Sequence, residues 1–214
     1  MTSSEIDILR RLRFGSISEA ELLDIFQRHR ASYRVRFHLV QHPLFPEAQA
    51  LNMIPEMLPM DLIRVTRNKR ANPSIRKKAE LEFGFRCQKM ALGEKKSLLK
   101  MAPLTVLYQF VKEKDERLLQ VIFENGECTV ELVMQFLNRS PHKAALYRAL
   151  MATEWPRRPA IVETIIHDPQ APIRVLIEIL PYLNHNQMKR LYGDENTHQR
   201  VKEEIIATWK RRRE

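Results

Sequence analysis

Residues 42–83 align without a gap on residues 168–209, 126 positions further along, and this self-similarity constrains the fold more than any other feature of the chain. Pro43, Pro46 and Pro55 fall on Pro169, Pro172 and Pro181, while Leu51, Ile54, Met57, Leu62 and Val65 fall on Ile177, Leu180, Leu183, Met188 and Leu191. Proline fixes φ and removes a backbone donor, so shared proline spacing imposes the same turns on both stretches. A chain that repeats its turns and its apolar positions together repeats a supersecondary unit.

Apolar i, i+4 pairs mark the copies in between: Val35 with Leu39, Ile75 with Ala79, Leu118 with Ile122, Ile161 with Ile165, and Val201 with Ile205. Their first members are 40, 43, 43 and 40 residues apart. This spacing places both residues of a pair on one helix face. In three copies a turn signal follows seven residues on, at His42-Pro43, Asn125-Gly126 and Asp168-Pro169, where a helix does not readily continue. The next helix then begins near Pro46, Thr129 or Pro172. The copy at Ile75 lacks this turn and reads as one longer helix through Gly84 towards Met90, and the last copy runs to the end of the sequence.

Stretches 45–58, 129–137, 141–151 and 172–183 carry single apolar stripes, which no short helix can bury alone. Stacking neighbouring hairpins solves this. The expected fold is all-α, a right-handed α-solenoid of about five helical-hairpin repeats of 40–43 residues, forming a single domain over residues 1–214. Residues 1–30 are its N-terminal capping hairpin, with Ser18 and Glu21 at capping-box spacing. Residues 31–196 are the repeats, and 197–214 a closing helix with a basic tail, Lys210-Arg211-Arg212-Arg213. Only 5 glycines and 7% aromatic residues, with 44% hydrophobic residues, suit a helical core and argue against disorder.

On these residues the chain resembles the HEAT and armadillo-like superfamily of helical repeats. The Asn/Asp-Pro turn followed by Pro or Thr resembles the leucine-rich-repeat-variant type. Leu92-Gly93-Glu94-Lys95, residues 125–133 and residues 168–183 are similar to a group of bacterial helical-repeat proteins. The resemblance spans residues 32–209 and implies the fold; such repeats serve as scaffolds, adaptors and, in a few cases, nucleic-acid enzymes, so it implies little about function.

Motifs for chemistry are sparse. Cys87 and Cys128 have no Cys-x-x-Cys partner, which reads as two reduced core thiols. His38 and His42 share a helix face, but no glutamate stands where a zinc-protease motif needs it, so both read as structural. Gly93-Glu94-Lys95-Lys96 lacks the glycine-rich cradle of a phosphate loop and reads as a turn opening a helix over 95–101. Trp155 reads as packing over a hairpin joint. No cofactor and no metal are expected, and the chain is read as not an enzyme. The absence of a signal-peptide pattern or an 18-residue apolar run makes a cytoplasmic protein without a transmembrane segment the expectation.

Charge gives the one functional lead. The chain holds 36 basic and 26 acidic side chains, a net +10, and twelve of the cations against four acids fall within residues 61–100. Arg64, Arg67, Lys69 and Arg70 close one helix, and Arg76, Lys77 and Lys78 open the next across Asn72-Pro73; Lys95 and Lys96 follow. The first group complements a helix C-terminus, whereas Arg76, Lys77 and Lys78 oppose the dipole of the helix they open. All nine are candidate contacts to an anionic partner. Arg10, Arg11, Arg13, Arg28, Arg30, Arg34 and Arg36 form a second basic region, diluted by the seven acids of residues 1–60. The leading expectation is a scaffold that holds a protein partner. The alternative is a nucleic-acid-binding protein contacting phosphates through residues 61–100, with a HEAT-like DNA glycosylase a distant third.

Overall fold

A computed structural model of the chain describes residues 3–211, with side chains from Glu5 onward; Arg212 and Arg213 of the basic tail lie outside the described residues. Among the described residues the regular structure is entirely helical. The helices are α1 (Ser3–Phe14), α2 (Glu19–Arg28), α3 (Tyr33–Val40), α4 (Glu47–Met53), α5 (Pro59–Arg67), α6 (Pro73–Cys87), α7 (Leu92–Leu99), α8 (Leu104–Leu107), α9 (Glu116–Phe123), α10 (Val130–Arg139), α11 (Lys143–Met151), α12 (Pro159–Ile166), α13 (Ile173–Ile179), α14 (His185–Gly193) and α15 (Gln199–Arg211). The chain divides into two compact units, with the boundary between Val106 and Leu107.

The repeat markers fall at one structural position. Val35, Ile75, Leu118, Ile161 and Val201 are each the third residue of their helix, α3, α6, α9, α12 and α15. All five, and their i+4 partners, are buried. The 126-residue offset is matched element by element: α3, α4 and α5 have the lengths of α12, α13 and α14, and each starts 126 residues earlier. The 3₁₀ turns Ile54–Glu56 and Leu180–Tyr182 correspond in the same way, each with its proline in the first turn.

Side chains just after three of the marked helices, α3, α9 and α12, explain why the turns recur. His42 Nδ1 accepts from the N–H of Leu44 at 3.2 Å, Asn125 Oδ1 from Glu127 at 2.7 Å and Asp168 Oδ1 from Gln170 at 2.9 Å. The carbonyl of each also accepts from the N–H three residues on. Such local bonds give the chain end an alternative to further helix. The following helices start where expected, with Pro46, Thr129 and Pro172 as N-caps. Asn68 and Asp194 build the same turn after α5 and α14. At the N-terminus, Ser18 and Glu21 form the expected capping box of α2.

Three details differ from the sequence reading. Lys69 and Arg70 lie in the Asn68 turn rather than in α5, because Asn68 Oδ1 takes the Arg70 N–H at 3.0 Å and ends the helix. The long helix α6 stops at Cys87. The helix expected over 95–101 begins earlier, as α7 at Leu92, so Gly93, Glu94, Lys95 and Lys96 are helical rather than a turn before a helix.

In the first unit α5 packs closely on α6 and α1 on α3. In the second, Val162, Leu180, Leu183, Met188, Leu191, Val201 and Ile205 form one buried cluster, which joins α12, α14 and α15 with the 3₁₀ turn after α13.

Candidate partner-binding site

A cleft of about 650 Å³ lies in the first unit, among α1, α3 and α5. Helical spacing builds its first wall: Ile6, Leu9, Arg10 and Arg13 recur on one face of α1, while Leu12 turns into the core. Tyr33, Arg34, Phe37 and His38 of α3 form the second wall, and Asp61 and Arg64 of α5 close one end. Glu5 anchors α1 to the start of α3 by accepting from the Ser32 hydroxyl at 2.7 Å.

The α3–α5 wall is fixed by a polar relay. The Tyr33 hydroxyl accepts from the N–H of Leu58 at 2.8 Å and donates to Asp61 Oδ2 at 2.7 Å. The other oxygen of Asp61 accepts from Arg64 Nη1 at 2.8 Å. Burial, followed by the Asp61 carboxylate, pushes the Tyr33 hydroxyl up to about 12, so Tyr33 stays a donor. Asp61, which is buried, thus spends both oxygens inside the wall.

Apolar surface and cations alternate along the cleft. Phe14 is 84% exposed and Ile6 49%, so both leave apolar surface uncovered at the cleft. Arg10, Arg13, Arg34 and Arg64 face a single lining carboxylate, that of Asp61. Among the described residues Arg10 and Arg13 make no ion pair. Arg13 Nη2 instead donates to His38 Nε2 at 3.2 Å. Burial, and then the charge of Arg13, hold the His38 imidazole below its ordinary pKa, so it adds no charge of its own near neutrality.

The nine sequence-selected cations separate into several settings. Arg64 alone joins the cleft. Arg67, Lys69, Arg70, Lys77 and Lys78 are exposed around the α5–α6 turn, with Arg76 half-buried beside them. Lys77 reaches Glu80 at 3.2 Å, and the buried Arg76 Nε has no hydrogen-bond partner among the described residues. Lys95 donates to the Gln88 carbonyl at 3.2 Å, within the α6–α7 connection, and Lys96 is half-buried on α7. The sequence reading passed over Ile6, Leu9, Arg10, Arg13 and Phe14 as site residues. Their i, i+3, i+4, i+7, i+8 spacing on a helix carrying two faces was the available signal.

A second cavity, of about 390 Å³, lies in the other unit against Lys143, Glu163, His167 and Asp168. Its polar groups are engaged with one another. Lys143 Nζ donates to Asp168 Oδ2 at 2.6 Å and to the Leu137 carbonyl, and Tyr147 donates to the same Asp168 oxygen at 2.7 Å. Glu163 pairs with Arg190 at 2.8 Å and contacts His167 at 3.2 Å. This arrangement ties α11 to the turn after α12. Among the described residues no cluster of three or more His, Cys, Asp or Glu side chains is placed to hold a metal ion, and no helix is long and apolar enough to cross a membrane.

Comparison with known proteins returned no relative: no family model matches the chain, and no curated protein or solved structure matches it either.

Proposed function

We propose that the chain is a non-catalytic binding protein that holds a protein partner, with the cleft among α1, α3 and α5 as the holding site. In this reading the hairpins of each unit stack as turns of a right-handed solenoid, an architecture that offers extended surface rather than a reaction centre. The observation that carries it is the pairing of exposed Phe14 and Ile6 with Arg10 and Arg13 along one trough. Apolar anchors bordered by arginine are the composition of protein interfaces.

A photo-crosslinking residue in place of Phe14, in cells that make the protein, tests the reading. A discrete protein adduct is expected, lost when Arg10→Glu and Arg13→Glu are combined. Adducts that dissolve on nuclease treatment, or none, overturn it.

The exposed cations Arg67, Lys69, Arg70 and Lys78 at the α5–α6 turn favour a second reading, contact with nucleic-acid phosphates. Such binding weakens steeply as salt is added. A Lys69→Glu, Arg70→Glu, Lys78→Glu variant that binds single-stranded DNA as well as the unaltered chain at low ionic strength removes that reading.

A further inference from the structure

We infer that the occupant of the α1–α3–α5 cleft is an acidic amphipathic α-helix of the partner, with its carboxylates one helical turn apart. The inference rests on the binding reading above and specifies the chemistry of what is bound. Charge complementarity carries it. Arg10 and Arg13 border the cleft and make no ion pair among the described residues, and the carboxylate among its lining residues, that of Asp61, already has both oxygens engaged, by Tyr33 and Arg64. An occupant must therefore bring its own anions.

Arg10 and Arg13 fix the spacing. Three residues apart on α1, they stand about one turn, or roughly 5 Å, apart along the helix axis. Carboxylates at i and i+3 or i+4 of a facing helix repeat at the same interval. Guanidinium groups favour planar carboxylates with paired acceptor oxygens. Beside them, Ile6, Leu9, Phe14 and Phe37 supply apolar lining that an apolar stripe would cover.

The shape selects among anions. A bilayer is flat and cannot follow a concave trough whose walls are two packed helices. The walls offer no strand edge for an extended peptide to join, since the backbone of a helix is satisfied internally. Phe14 and Phe37 offer rings to a base, but nucleic acid would set polar sugar and phosphate against Ile6 and Leu9, whereas the apolar stripe of a helix covers all four. A helix lying in a groove satisfies both the apolar lining and the cationic border.

Selection from a displayed library of random peptides about 14 residues long, roughly four turns, against the full chain tests this. Enriched sequences are expected to carry Asp or Glu at i, i+3 or i, i+4 beside Leu, Ile, Met or Phe, and to become helical when bound. Their affinity should fall about tenfold or more with Arg10→Glu plus Arg13→Glu, and clearly with Phe14→Ala, an exposed position whose truncation leaves the core intact. Circular dichroism confirms that each variant is folded. Basic, extended or proline-rich winners, binding unaffected by both variants, or failure to enrich would each overturn the inference. So would tighter binding of phosphatidylglycerol vesicles or a single-stranded oligonucleotide at this cleft. If the Phe14 crosslinker still captures a protein while the selected peptides are not acidic helices, the binding reading stands and the acidic-helix inference fails.

Discussion

Arg13 Nη2 donates to His38 Nε2 across 3.2 Å, and because a guanidinium has only donors, the imidazole must present its lone pair there. His38 is therefore neutral, with its proton on Nδ1. Burial first and Arg13 second depress its pKa below the ordinary 6.5. The unfolded chain takes up this proton before the folded chain does. The stability that depends on neutral His38 is thus present above about pH 6.5 and is lost as pH falls from there through the depressed folded value. NMR titration should find the His38 midpoint below that of an exposed histidine and raised, though not fully restored, by Arg13→Ala. An unchanged midpoint in that variant would remove Arg13 as a cause.

Trp155 shows how a residue outside the main helices can hold two repeats together. It is buried, its Nε1 donates to the Phe123 carbonyl at the end of α9 at 2.7 Å, and the Arg158 guanidinium lies 4.4 Å from its ring centroid. Trp155→Phe keeps most of the packing and leaves that carbonyl unsatisfied, at a cost of about 1–3 kcal/mol. Trp155→Ala also opens a cavity and should cost about 3–5 kcal/mol. Denaturant unfolding of both variants checks the order; a Trp155→Phe variant as stable as the unaltered chain would show that the hydrogen bond contributes nothing, and equal losses would show that the lost packing adds nothing to it.

The helical positions were legible in the sequence because the same few interactions recur at each one. A buried i, i+4 pair such as Val35 with Leu39, and a turn residue such as Asp168 whose side chain closes onto the next backbone N–H, both leave a local imprint. The Asn68 and Asp194 turns carry the same imprint at the same 126-residue offset, and they were missed because no proline or glycine follows either residue directly. The cleft was less legible. Arg10 and Arg13 come together with Arg64 only through the packing of α1 on α3 and the Tyr33–Asp61 bond between α3 and α5. Net charge along the sequence counted Glu19, Glu21 and Asp24 against the arginines of α1. In three dimensions Glu21 is spent on Arg11, at 2.9 Å, and Asp24 on Arg28. Local charge sums cannot see which face of a helix a cation occupies.

Both thiols should be slow to react in the folded chain. Cys87 is buried, and burial pushes the Cys128 thiol up to about 12, outweighing the nearby Arg158. Thiolate is the reacting form, so at mildly alkaline pH almost none is present at Cys128. Iodoacetamide followed by mass spectrometry should label both cysteines rapidly in denaturant and neither without it. Rapid native labelling of Cys128 would show that it is neither shielded nor shifted.

The Lys143–Asp168 pair gives the sharpest test of the turn after α12. Its side chains are only 16% and 10% exposed, and Asp168 also accepts from Tyr147 and from the Gln170 N–H. Burial alone would raise the Asp168 pKa, but the bonds from Lys143, Gln170 and Tyr147 outweigh it and hold the carboxyl below its ordinary value. The sign follows from that depression. The unfolded chain binds the proton first, so this contribution to stability is complete above the unfolded value of about 3.8 and is lost as pH falls through the folded one. Asp168→Asn keeps the turn acceptor Oδ1 but strands a mostly buried ammonium. Removing one partner of such a pair typically costs about 3–5 kcal/mol, and the removal should also abolish this part of the acid sensitivity. Adding Lys143→Met to Asp168→Asn eliminates the stranded charge and should recover much of the loss. A double variant as unstable as Asp168→Asn alone would show that the turn geometry, rather than the charge pair, carries the effect.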